Sequence, residues 1–113
     1  MNHLKKGLAE ETKACEYLEK KGYQIVERNY RSGKGEIDIV AFSEKCLCFV
    51  EVKFRKNNAY GYPEDFVTHK KLMMIQQTAE AYIIEKNWHG RIRFDVISIT
   101  GTEPIVHIED VTL

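Results

Sequence analysis

The sequence predicts an α/β fold of order αβββαβ, a mixed central sheet flanked by helices. Helical apolar spacing appears twice, near residues 4–20 and again after Thr68. Between the two lie three strand-like runs separated by turn residues, and one more strand follows the second helix. A strand, a helical crossover and another strand imply parallel pairing, so the sheet is expected to be mixed, with one helix on each face. At 113 residues the chain suits a single domain spanning 1–113.

The first helix is expected to bury Leu4, Leu8, Ala14/Cys15 and Leu18 and to end at Gly22. Glu11 falls on that stripe, whereas Glu10, Lys13 and Glu16 are expected to face water. Tyr23–Tyr30 reads as a strand, and Arg31-Ser32-Gly33-Lys34 as a turn. Gly35–Ala41 follows, with Ile37 and Ile39 on one face and Glu36, Asp38 and Val40 on the other. Ser43-Glu44-Lys45 turns the chain into a central strand, Cys46 to Phe54. Arg55–Glu64, with Asn57-Asn58, Gly61 and Pro63, reads as an irregular loop of the kind that binds ligands. Thr68 starts a long helix burying Leu72, Ile75, Ala79, Tyr82 and Ile83, which ends over Asn87–Gly90. Arg93–Ile99 is the next strand, and after a Gly101–Pro104 turn Ile105–Ile108 forms a short edge strand.

Hydrophobic residues at 43% and charged residues at 30% exclude a disordered chain, and no apolar run approaches the roughly 20 residues of a membrane span. The amphipathic start, without a signal-peptide apolar region, makes the cytoplasm the expected location. Cys15, Cys46 and Cys48 match neither a disulfide framework nor a zinc site and are expected to be reduced core thiols. His3, His69, His89 and His107 show no ligand spacing. Zero net charge argues against coating nucleic acid by bulk charge, although basic clusters flank the acidic motifs.

The chemistry concentrates in Glu51-Val52-Lys53, at the end of the apolar run Leu47-Cys48-Phe49-Val50, with Gly35-Glu36-Ile37-Asp38 shortly before it. Alternation puts Glu51 and Lys53 on one face of a strand in the middle of a sheet, where unpaired charge is costly. A bound metal ion would account for it; the alternative is an ordinary Glu51–Lys53 pair at an exposed strand end, with Asp38 satisfied by turn amides. Asp38, Glu51 and the Val52 backbone carbonyl suit Mg²⁺, a hard ion that takes oxygen ligands and keeps several waters. Such a site performs metal-assisted phosphodiester hydrolysis, with Lys53 orienting water or neutralising charge on phosphate. Glu11 joins if the helix brings it over the sheet, binding the metal through water or holding Lys53, and Lys70 is a candidate phosphate contact. Glu36 is a weaker candidate, and Asp95 is expected to pair with an arginine. Trp88 and Tyr60/Tyr62 either stack on bases or simply pack.

Gly7-x-x-x-Glu11-x-x-Ala14, Tyr17-Leu18, Gly22-Tyr23, Arg28-Asn29-Tyr30-Arg31, Gly35-Glu36-Ile37-Asp38, Phe49-Val50-Glu51-Val52-Lys53-x-Arg55, Gly61-x-Pro63, Lys70 and Arg93-Phe94-Asp95-Val96 occur in that order along nearly the whole chain. Together they resemble the bacterial YraN-like family, regarded as a distant member of the PD-(D/E)XK nuclease superfamily and similar to archaeal Holliday junction resolvases. The resemblance implies a restriction-endonuclease-like core and an active-site set of Glu11, Asp38, Glu51 and Lys53. It also implies Mg²⁺ or Mn²⁺ as cofactor, DNA, including branched DNA, as substrate, and a homodimer as the acting form. Arg31, Arg55 and Lys70 are the expected nucleic-acid contacts. Glu10 stands where the family usually has a second glycine, Tyr30 where it commonly has tryptophan, and Ile37 where the superfamily name has proline. The competing expectation is a non-catalytic module that keeps the nuclease fold and binds nucleic acid or protein.

Overall fold

The structure, a computed structural model, describes residues 2–55, 68–101 and 103–111, with side chains from Leu8 onward and without that of Arg55. The elements are α1 (Asn2–Lys20), β1 (Gln24–Ser32), β2 (Gly35–Ser43), β3 (Cys46–Arg55), α2 (His69–Lys86), β4 (Arg91–Thr100) and β5 (Val106–Ile108). The strands form one sheet in the order β1-β2-β3-β4-β5, with β3 in the centre. β1, β2 and β3 run antiparallel, β3 and β4 pair in parallel through ten residues, and β5 returns antiparallel on the edge. This is the expected mixed sheet, compatible with a restriction-endonuclease-like core. The expected loop Arg55–Glu64, with Tyr60, Gly61, Tyr62 and Pro63, falls beyond Arg55 on residues outside the described ones.

Each face of the sheet carries one helix. α1 covers Ile39, Ala41, Cys46, Cys48, Val50, Ile97 and Ile99 with Ala14, Cys15 and Leu18. α2 covers Ile37, Val40, Leu47 and Phe49 with Ile75, Ala79 and Tyr82. The three thiols are free and buried, and burial, reinforced by Asp95, pushes Cys48 up to about 12, a poor nucleophile at neutral pH. α1 stops where Gly22, at φ 97°, takes the left-handed conformation that lets the Tyr23 N–H reach Leu18 O at 3.0 Å. α2 starts where Thr68 accepts the Lys71 N–H at 3.1 Å, and ends at left-handed Asn87.

Three expectations about faces need correction. Ala14, Cys15 and Leu18 of the predicted α1 stripe are buried, but Glu10 is buried too, at 8% exposure, while Leu8 is 45% exposed. Tyr17, two turns after Glu10 on the same side, packs its ring edge-on to His107 at 5.8 Å. On β2, Ile37 packs with Val40 on the α2 side rather than with Ile39. The alternation breaks between Ile37 and Ile39, beside Asn29 of the neighbouring strand at φ 54° and where β2 leaves its ladder with β3 beyond Ile39↔Val50. On α2, Leu72 and Ile83 are only part-buried, and Thr78 is buried instead.

Asp95 has the structural role expected of it. It accepts two hydrogen bonds from Arg93 at 2.8 and 2.9 Å, one from His107 Nε2 at 2.8 Å and one from the Asp110 N–H at 3.0 Å. The Lys21 ammonium, a donor only, reaches His107 Nδ1 at 3.2 Å, so the other ring nitrogen carries the proton given to Asp95. Burial alone would raise the Asp95 carboxyl, but these donors outweigh it and hold it at about 2. The network ties β5 and the segment after it to β4.

Candidate functional site

The break in the β2–β3 ladder is where the acids meet. Continuing the register past Ile39↔Val50 would set Asp38 opposite Glu51. The strands have stopped pairing there, and Asp38 Oδ2 accepts the Val52 N–H at 2.7 Å, replacing a ladder bond with a side-chain one. β3 stays fixed on its other side, because its parallel ladder with β4 continues to Arg55↔Thr100. Alternation along β3 sends Val50 to the α1 side and Phe49 to the α2 side, so Glu51 and Lys53 also face α2.

Asp38 and Glu51 are neighbouring acids in a buried place, which favours keeping a proton on Asp38. Burial first, then the hydrogen bond and charge of Glu51, push the Asp38 carboxyl up to about 8, against the Val52 N–H and Lys71. Glu51 is 9% exposed. Its cation is Lys71, whose Nζ lies 3.4 Å from Glu51 Oε2. Lys53, its partner in the alternative reading of the sequence, is part-buried and makes no ion pair among the described residues.

Glu11 approaches from α1. Arg28 ties the helix to β1 by donating to Leu8 O at 3.4 Å and Thr12 Oγ1 at 3.2 Å, with Nη2 3.6 Å from Glu11 Oε1. Burial and the charge of Asp38 push the Glu11 carboxyl up, while the Asn29 hydrogen bond and Arg28 pull it down. Glu11 Oε1 is buried without a hydrogen-bond partner among the described residues. The Glu10 Oε2 atom is in the same condition, although sequence placed that side chain in water.

The other candidates lie elsewhere. Glu36 pairs with Arg31 across the β1–β2 ladder at 2.8 Å, and Arg31 is 76% exposed. Lys70 is exposed on the first turn of α2. Arg55 ends β3, and its side chain lies outside the described residues. Trp88 packs edge-on to Phe42 at 5.7 Å and donates to Arg91 O at 3.1 Å.

Sequence reasoning missed Lys71 and Asn29. Lys71 stands four residues before Ile75 and seven before Thr78, on the buried stripe of α2, a spacing that could have found it. Asn29 is a weak strand former inside a strand pattern, a signal of irregular backbone.

The same ordered motifs set the chain among known proteins. The model of "Uncharacterised protein family UPF0102" matches residues 10–99. The chain belongs to the UPF0102 family. It is 62% identical over 113 residues to the UPF0102 protein of Cytophaga hutchinsonii, covering 100% of both chains. Identity to the UPF0102 protein of Persephonella marina is 44% over 106 residues, 93% of this chain and 90% of that one. For the UPF0102 protein of Lachnoclostridium phytofermentans it is 46% over 105 residues, 91% and 89%. Family membership agrees with the YraN-like resemblance of the motifs. In this UPF0102 chain, no helix among the described residues is long and apolar enough to cross a membrane.

The acids fit a hard divalent ion in part. Among the described residues no three His, Cys, Asp or Glu side chains form a metal-holding group. Two carboxylates with a backbone carbonyl, the remaining positions left to water and substrate oxygens, are nevertheless a usual Mg²⁺ arrangement. Two neighbouring buried acids, with the Asp38 carboxyl pushed up by burial and by Glu51, mark a place where positive charge is favoured.

Proposed function

We propose that this UPF0102 protein is an endonuclease that hydrolyses DNA phosphodiester bonds with Mg²⁺ or Mn²⁺, acting on branched, Holliday-junction-like DNA. The observation that carries this reading is the Asp38–Glu51 pair, two buried acids brought side by side where the sheet opens, with Asp38 held by the Val52 N–H and Lys53 on the same face of β3 as Glu51. Asp38, Glu51 and the Val52 carbonyl are the groups to hold the cation. Once bound, it would polarise the phosphoryl group and supply a more acidic water.

The residues themselves do the rest. The Val52 N–H fixes the Asp38 carboxylate, and the buried strand under Glu51 limits its rotamers. Lys53 orients the attacking water or neutralises charge building on the phosphate oxygens. Glu11, steadied by Arg28 and Asn29, adds a third acid at the margin. Arg31, Lys70 and Arg55 are the contacts for the DNA backbone, and a homodimer in the cytoplasm would present two such sites to two strands.

The test is cleavage of a synthetic four-way junction, with linear duplex and single-strand controls, by the wild type and by Lys53→Ala prepared identically. Cleavage by the wild type alone, dependent on Mg²⁺ or Mn²⁺, is the expected result. If neither protein cuts while both fold and bind junctions equally, the nuclease reading falls and a binding module takes its place.

A further inference from the structure

A lysine in the first turn of a helix is locally misplaced. That end of the dipole favours acids, and the third helical position is where Glu or Gln would complete a capping box. α2 has no acid in its first turn, and its third residue is Lys71. The compensation comes from outside the helix, where Lys71 Nζ lies 3.4 Å from Glu51 Oε2. The two ends of that contact differ, since the Lys71 side chain is 41% exposed and that of Glu51 only 10%. A residue that breaks a local rule and is repaired only at the acid pair is placed for the site.

We propose that Lys71 is the resident counter-cation of the Asp38–Glu51 pair, holding Glu51 in the metal-free protein and yielding that place to a divalent cation. The inference rests on the metal-site reading above. Lysine suits the task, because its ammonium is a compact charge on a flexible stem, whereas the planar fork of arginine would hold both carboxylate oxygens. Its exposure lets the ammonium swing into water without moving α2. Lys71 therefore limits how tightly the site binds metal. Removing its charge should strengthen binding, the opposite of losing a ligand or damaging the fold.

The experiment is calorimetric titration of Mn²⁺ into the full chain as wild type, Lys71→Met, Lys71→Gln, Lys71→Arg and Glu51→Gln, with the fold of each checked by circular dichroism. Lys71→Met and Lys71→Gln should bind Mn²⁺ roughly five- to tenfold tighter, the scale of a half-exposed ion pair. Lys71→Arg should bind no tighter than the wild type, and weaker where its fork holds both Glu51 oxygens, and Glu51→Gln should lose binding. Unchanged or weaker binding by both neutral variants overturns the counter-cation role, as does equal tightening by Lys71→Arg. Absence of Mn²⁺ binding in the wild type and the neutral variants alike overturns the metal-site reading itself, a distinct result.

Discussion

Replacing Asp38 by asparagine should make the protein more stable and less able to bind metal. Asparagine has the same shape, can accept the Val52 N–H and can donate to Glu51, but holds no proton that must be taken up on folding. Asp38 titrates near 8 in the fold against 3.8 ordinarily. The sign follows from that difference. The neutral form is matched to the site, so the contribution of Asp38 is intact below about pH 4 and is lost as pH rises towards 8. At pH 7 the proton uptake costs about 4 kcal/mol, and relaxation with water entry could relieve about half of it. Glu11, shifted the same way, adds to the slope, whereas Asp95 acts only in strong acid. Urea unfolding in EDTA at pH 5, 6, 7 and 8 should show the wild type losing stability with pH. Asp38→Asn should run flatter and lie at least about 2 kcal/mol above it at pH 8. A wild type as stable at pH 8 as at pH 5, with the variant tracking it, would refute the buried proton on Asp38.

Two further outcomes concern the frame around the site. Asp95→Asn leaves Arg93 without its buried partner and should cost about 3–5 kcal/mol in urea unfolding at pH 7. Because Asp95 sits at about 2, its stabilisation is complete above about pH 4 and fades as pH falls through 2, so the deficit should shrink in strong acid. A deficit under about 1 kcal/mol would show that the β5 segment is not held by this network. At the start of β2, a Cβ on Gly35 would collide with Thr78 Oγ1 of α2. Gly35→Ala should cost roughly 1–3 kcal/mol, partly recovered in the double variant with Thr78→Ala. Melting curves equal to the wild type would mean that α2 does not seat there.

What could be read from the sequence at this site is what local geometry determines. Glu51 and Lys53 share a face because a strand alternates, and the acid-x-lysine spacing carries that relation whatever the rest of the chain does. The meeting of Asp38 with Glu51 is different. It needs β2 to part from β3 just after Ile39↔Val50, and the same region changes the side on which Ile37 packs. Strict alternation along β2 put Asp38 on the right face and Ile37 on the wrong one. The burial of Glu10 in place of Leu8 was hidden because the two lie at opposite margins of one stripe, and helical spacing alone does not choose between them. Lys71 combines both difficulties. Its spacing to Ile75 marks it as inward, but its charge in the first turn argues for solvent, and only the packed position of α2 resolves the conflict by bringing Glu51 within reach. Strand alternation delivers Lys53 to the site from β3, and helix packing delivers Lys71 from α2. One acid pair is therefore served by two lysines of different origin, and the lysine in the spaced motif is not the one that pairs with Glu51 in the metal-free fold. On the proposed reading that division leaves Lys53 to substrate while Lys71 balances the acids, and the two substitutions should separate, Lys53→Ala in cleavage and Lys71→Met in metal affinity.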